Sequence, residues 1–443
     1  MIFLKKIMER KTQELGEEIM IFLVVFTLVI LSIFTSFFLF RKLSSPLIYF
    51  TISWLILFFL SYLNLLEYEP FTDQAIFLIL IGFVSFYIGT ILAFFPSRFN
   101  LANKNHEVRE INFKYFDKVI KSLIFMSFFA IIVWLFIAIN NVGYLELFFS
   151  SDRYQLRTRL VPNIPRIISL MIYLPSLSGS LLISLFYVKT NHIKIYYFLL
   201  YFAPLVLSLI LGQRAFMLIT IITFLVPLLT LKSKQKKYSI SRHKKLTPYK
   251  VIFLSVVFFI VVGLSRGNFT NFGNEGNLFY SILAKIYLYL TGSFRAFSIA
   301  LDQTLSSQPD LGLNFLTPIA KLLYTIGFGN YDIAKITLIE NGRNFVSIPY
   351  VYNVYTFAYD MIADFGILGY IFIMFLLGLL THVMWIKILK KNKYSVYSIV
   401  YVFLLTLLLF GFSGSITSFS LIWYGYIFAC FIMFITQKRI FLK

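Results

Sequence analysis

The sequence predicts an all-α polytopic membrane protein with about 11–12 transmembrane helices. Three observations lead there. Apolar runs of ~20 residues recur along the chain, and each is long enough to cross a ~30 Å hydrocarbon core. Of the 443 residues, 59% are hydrophobic and 19% aromatic, with a mean hydropathy of +0.82, which no ordinary soluble domain carries. The charges also sort by side of the membrane, as set out below. Helices are expected because they satisfy their own backbone groups in lipid. The short alternating segments of a membrane barrel are absent.

Taken in order, the spans are read at 19–40, 47–66, 75–95, 119–139, 166–187, 194–211, 214–231, 251–264, 362–386, 396–412 and 419–436. The run 251–264 is short and starts earlier or sits at a tilt. With the N-terminus outside, the inner loops hold 25 Lys and Arg against three acids, Glu107, Glu110 and Asp117. The outer segments hold the other 15 basic and 16 acidic residues. That is the positive-inside asymmetry. It accounts for the net charge of +21 without a nucleic-acid partner, and no nucleic acid is expected. The basic run 232–250 reads as a topology anchor beside anionic lipid headgroups.

Residues 1–18 are mixed in charge, and no small-residue cleavage site follows the first apolar run, so no cleavable signal peptide is read. The single cysteine, Cys430, lies in a late apolar run and reads as a small apolar residue. His106, His192, His243 and His382 show no ligand spacing, and none falls on the outer face. His382 falls near the inner end of its span.

This divides the chain into an N-terminal transmembrane bundle at 1–264, a large extracytoplasmic loop at 265–361 and C-terminal transmembrane helices at 362–443. The loop contains amphipathic runs at 278–301 and 313–328. Lys285 and Arg295 interrupt the first, which predicts an interfacial helix rather than a span. Gly and Asn cluster at 267–277 and 327–331, as in turns. No internal repeat is visible, which counts against a transporter of two related halves.

The most polar stretch beside a span is 353–369, N-V-Y-T-F-A-Y-D-M-I-A-D-F-G-I-L-G. Asn353, Tyr355, Thr356, Asp360 and Asp364 precede a long apolar run. Asp360 and Asp364 are four apart and share a helical face. Carboxylates at the mouth of a span are costly unless they are wet, paired or used. One reading makes a carboxylate a base toward a sugar hydroxyl. The other makes the pair N-terminal caps of the ninth span. Glu275 lies in a Gly/Asn loop with no capping role in view.

Arginine dominates the remaining outer polar groups: Arg153, Arg157, Arg159, Arg166, Arg214, Arg266 and Arg295. Each singly reads as a headgroup contact or cap. Several around one chamber fit an anionic ligand carrying a pyrophosphate, because guanidinium forks pair with phosphate oxygens. Gly411–Ser420 reads as a tight helix hairpin.

The stretch 353–369, the G-Q-R-A at 212–215 and the arginine-containing outer loop before the last three spans resemble the oligosaccharide repeat unit polymerases, the O-antigen or capsule polymerases of the Wzy type. The resemblance covers the layout of most of the chain but only short stretches of residues. It implies a GT-C-like glycosyltransferase in the bacterial cytoplasmic (inner) membrane. Such an enzyme moves a glycan from undecaprenyl pyrophosphate onto the next lipid-linked repeat unit on the outer face, in lipopolysaccharide or capsule polysaccharide biosynthesis. It implies no metal and no cofactor. The partners expected are undecaprenyl-pyrophosphate-linked glycans, membrane lipids and a chain-length regulator protein. Arg153, Arg157, Arg214, Arg266 and Arg295, with Asn353 and Tyr355, become the substrate-binding candidates, and Asp364, Glu275 and Asp360 the catalytic ones. Related O-antigen ligases use an outer-loop histidine, which this reading lacks. Family members often have twelve spans with both ends inside, whereas eleven with an outer N-terminus are read here. The alternatives are a lipid-linked oligosaccharide flippase or a metal-dependent glycosyltransferase. Glu67 and Glu69 are similar to the acidic pair of the glycosyltransferases that use polyprenyl-phosphate sugars.

Overall fold

A computed structural model describes residues 2–66, 68–95, 113–149, 153–190, 193–211, 215–231, 278–305, 314–326, 346–348, 351–352, 354–390 and 395–438. Helices dominate throughout. Six of those described are long and apolar enough to cross a membrane: Ile19–Phe38, Asp73–Leu92, Lys114–Val142, Arg166–Thr190, Phe357–Lys390 and Val396–Ser413. Four shorter apolar helices, Pro46–Tyr62, Ile195–Leu211, Ala215–Thr230 and Ser420–Thr436, coincide with four further expected spans. The eighth expected span, 251–264, lies outside the described residues. The chain is a multi-pass membrane protein of all-α architecture.

In chain order the helices are α1 (Ile2–Phe38), α2 (Pro46–Tyr62), α3 (Asp73–Leu92), α4 (Phe113–Val142), α5 (Tyr144–Phe149) and α6 (Arg153–Leu160). Then come α7 (Arg166–Thr190), α8 (Ile195–Leu211), α9 (Ala215–Thr230), α10 (Leu278–Leu305) and α11 (Thr317–Thr325). A two-stranded antiparallel hairpin follows, β1 (Val346–Ser347) and β2 (Val351–Tyr352), with Val346 opposite Tyr352. The last helices are α12 (Phe357–Lys390), α13 (Val396–Phe410) and α14 (Ser420–Lys438).

Two departures from α geometry matter to the layout. α8 opens as a 3₁₀ helix over Ile195–Tyr201 before continuing as α-helix over Phe202–Leu211. At ~2.0 Å per 3₁₀ residue and ~1.5 Å per α residue, its length comes to about 29 Å, so a short sequence still matches the hydrocarbon core. α2 contains a π turn over Ile52–Ile56. The turn carries Trp54, whose ring meets Phe294 at 5.3 Å and Phe357 at 4.9 Å. Its indole N–H donates to the Ile79 carbonyl at 3.2 Å.

α3 and α12 run parallel in close contact at the centre of the bundle. Small residues permit that approach, as is usual between membrane helices. A Cβ on Gly89 would strike the Phe375 carbonyl oxygen, and one on Gly378 would strike that of Phe86. The Tyr370 hydroxyl donates to the Leu78 carbonyl at 3.0 Å, further up the same seam. On α4 the opposite condition holds. Phe125, Phe129, Ile132 and Phe136 form one exposed apolar stripe, which is the face lipid would cover.

The segment 278–305 is not the surface helix the sequence predicts. Every residue from Thr291 to Ser298 is buried, so the middle of α10 lies inside the protein on all sides. Neighbours stitch it in. Ser61 Oγ donates to the Thr291 carbonyl at 3.0 Å, and the Thr72 amide donates to Ser298 Oγ at 2.9 Å. Phe294, Phe297 and Leu301 join the same apolar core as α1, α3 and α12. The run T-G-S-F-R-A-F-S alternates small polar and aromatic residues, so it can be packed on every face, and hydropathy alone does not show this.

Candidate functional site

The stretch 353–369 supplies the site, and the break at Gly366 defines it. α12 has 34 residues, about 51 Å of helix, well over the ~30 Å core. At Gly366 the backbone takes φ 67° and ψ −178°, a conformation essentially reserved for glycine. A short helix, 357–365, therefore precedes the spanning part. Thr356, just before it, and Asp360 and Asp364 within it recur at four-residue spacing, and all three are buried.

The three have different surroundings. Both carboxylate oxygens of Asp364 are engaged. Oδ1 accepts from the Asn314 amide at 2.9 Å and from Asn314 Nδ2 at 2.8 Å. Oδ2 accepts from the Phe315 amide at 2.6 Å and from the Asn314 amide at 3.1 Å. Asp364 thus caps the segment leading into α11, not its own helix. This corrects the sequence reading of Asp364 as a cap of the ninth span. Asp360 lies one turn earlier and is fully buried. Thr356 Oγ1 is buried without a hydrogen-bond partner among the described residues.

Three other segments close around this short helix. The turn after α13 folds inward as two 3₁₀ turns, Gly411–Ser413 and Ile416–Ser418. The hairpin expected at Gly411–Ser420 is present, and it is built into the site. Thr417 Oγ1 donates to the Phe315 carbonyl, so the 314–315 segment joins α12 on one side and the hairpin on the other. Gly411 packs on the Phe357 ring, and Ser293 of α10 donates to the Phe412 carbonyl. Trp54 forms a floor beneath Phe357 and Phe294. Tyr355 stacks on Tyr359 at 4.5 Å, beside Tyr68, Ile348 and Tyr352 in a separate apolar cluster.

Arg295, expected to meet ligand, is buried and turned to the backbone. Its Nε and Nη2 donate to the Ser61 carbonyl at 3.2 and 2.8 Å. Nη2 also reaches the Tyr62 carbonyl at 3.4 Å, and Nη1 donates to the Glu69 carbonyl at 2.6 Å. The guanidinium lies 3.9 Å from the centre of the Phe71 ring. Four of its five N–H donors are thus directed at carbonyls. Burial pulls its pKa down to about 10, which leaves it charged at neutral pH. In this arrangement Arg295 holds the loop between α2 and α3 against α10.

The other candidates are placed less fully. Arg153 and Arg157 lie on α6, so they share a helical face as their spacing predicts, but their side chains lie outside the described residues. Arg159 on the same helix is exposed and pairs with Glu146 at 2.8 Å. Arg214, Arg266, Glu275, Asn353 and Glu67 lie outside the described residues. Among the described residues no three of His, Cys, Asp and Glu come together as around a metal ion.

Sequence reasoning missed Asn314, Thr417 and Trp54. A signal for the first was present: Asn314 stands in N-F-L-T-P, with Pro318 at the first turn of α11, the mark of a helix entry. No family model, curated protein or solved structure matches this chain.

Proposed function

We propose that this chain is a membrane glycosyltransferase that polymerises undecaprenyl-pyrophosphate-linked oligosaccharide repeat units on the outer face of the bacterial cytoplasmic membrane. One observation carries the reading. The polar stripe Thr356, Asp360 and Asp364 is buried at the mouth of α12, where α2, α10, the 314–315 segment and the 411–418 hairpin converge. Buried carboxylates at a membrane helix end are costly and mark function by default.

In the reaction, the acceptor hydroxyl oxygen bonds to the anomeric carbon of the lipid-linked glycan. The bond from that carbon to the pyrophosphate oxygen breaks, and the lipid pyrophosphate leaves with the electron pair. The hydroxyl proton passes to a carboxylate. We give that role to the Asp360 and Asp364 pair, which shares the buried face of the short helix. Glu275 is the other acid in play. Arg153, Arg157, Arg214 and Arg266 stabilise charge building on the leaving group. Arg295 acts at one remove, by fixing the 61–69 backbone. Tyr355 and Asn353 remain the candidate sugar contacts.

The test is glycan length in cells that depend on this chain, with Asp360→Asn, Arg157→Ala and Arg266→Ala assayed beside membrane protein level. Single repeat units should accumulate on the outer face while the protein still inserts. Unaltered long chains in all three variants would sink the proposal. A lipid-linked oligosaccharide flippase is the second reading, favoured by polar groups buried at the far end of α12 around His382. Loss of a flippase leaves single units on the inner face.

A further inference from the structure

His382 lies on α12 far from the carboxylate stripe, eight residues before the helix ends at Lys390. Its side chain is fully buried. Phe40, Phe86 and Trp385 surround it, with ring centroids at 5.2, 6.0 and 6.2 Å. An imidazole enclosed in a membrane bundle needs partners for both nitrogens, since neither lipid nor an aromatic ring supplies them.

The hydrogen bonds assign its tautomer. Nδ1 lies 3.1 Å from the Gly378 carbonyl oxygen and 3.2 Å from Thr90 Oγ1. A carbonyl oxygen only accepts. The single hydroxyl hydrogen of Thr90 is donated to the Phe86 carbonyl at 3.0 Å, so toward His382 that oxygen also accepts. Nδ1 therefore carries the hydrogen and shares it between the two. Nε2 is left as a bare lone pair, buried, with no donor among the described residues.

The neighbours narrow the ligand. Helices α2, α9, α12 and α13 bring uncharged polar groups to this end of the bundle. Trp385 Nε1 donates to the Thr230 carbonyl at 3.4 Å, and Tyr49 donates to the Leu229 carbonyl at 3.3 Å. Thr381 Oγ1 is buried without a partner among the described residues. An anion would find no free donor on the imidazole, because Nδ1–H is already shared. A metal ion would find one nitrogen and no cluster of ligating side chains among the described residues. Water supplies the O–H that the lone pair requires and has a second hydrogen for another acceptor.

We infer that His382 Nε2 is a binding site for internal water at the end of the bundle opposite the carboxylate stripe. The site is independent of the glycosyltransferase reading.

The test uses the full chain in lipid nanodiscs, with ¹⁵N-labelled histidine and His106→Gln, His192→Gln and His243→Gln combined, so that His382 alone reports. Solid-state NMR should show hydrogen on Nδ1 and transfer of magnetisation from water protons to Nε2. Hydrogen on Nε2, or an unprotonated Nε2 that receives nothing from water, overturns the inference. If the triple variant does not insert, the difference spectrum between the unaltered chain and His382→Gln gives the same reading.

Discussion

Asp364 shows how far a spacing argument reaches at the scale of one residue. That Asp360 and Asp364 share a face was legible from their separation of four. That Asp364 would take its partners from Asn314 and Phe315, some fifty positions away, was not, because no local periodicity encodes a contact of that range. Arg295 repeats the lesson. Its charge in an apolar run read as a surface position, but the carbonyls that let it be buried belong to the end of α2 and the loop after it. The two aspartates should separate experimentally. In Asp364→Asn one carboxylate oxygen becomes an NH₂ that must face an amide N–H. It should lose about 1–3 kcal/mol of stability, the cost of an unmet buried group, read as a lowered unfolding midpoint in detergent. Asp360→Asn should lose chain lengthening, read as single repeat units on the outer face. Equal midpoints for Asp364→Asn and the unaltered chain would remove the capping role.

At the scale of elements, the spans were the legible part. Uninterrupted apolar runs announce themselves, and those at 75–95, 166–187 and 396–412 fall within a few residues of α3, α7 and α13. Irregular geometry was not legible. Nothing in Ile195–Tyr201 marks a 3₁₀ opening, and nothing in Ile52–Ile56 marks a π turn. Both are set by what the helix must reach. Gly366 was visible as a residue but not as the boundary between a short helix and a long one. Its angles make a prediction. A Cβ there meets no atom within 4 Å, so Gly366→Ala adds no crowding, only backbone strain. The cost should be about 1–3 kcal/mol by thermal unfolding. An unchanged midpoint would mean the helix runs straight through in the membrane.

At the scale of the whole molecule, charge sorting and geometry agree. The loop after α2, α10, the start of α12 and the hairpin after α13 were all counted on one side by their charges, and hydrogen bonds gather them at one end of the bundle. The sequence could not reveal that the segment 265–361 contributes to the same core as the spans, because α10 is buried through contacts with α2 and α12. One small feature then has a large mechanical effect. The Asn314–Phe315 segment is gripped by Asp364 through its amides and by Thr417 through a carbonyl. Those two side chains belong to the last three helices, whereas Asn314 belongs to what precedes them. A polypeptide severed between 327 and 345 should therefore remain whole. Two co-expressed pieces should purify together through a tag on either one, and should still do so with Asp364→Ala and Thr417→Val, because the seam between α3 and α12 also joins them. Pieces that separate would show that covalent continuity, not the clasp together with that seam, unites the halves.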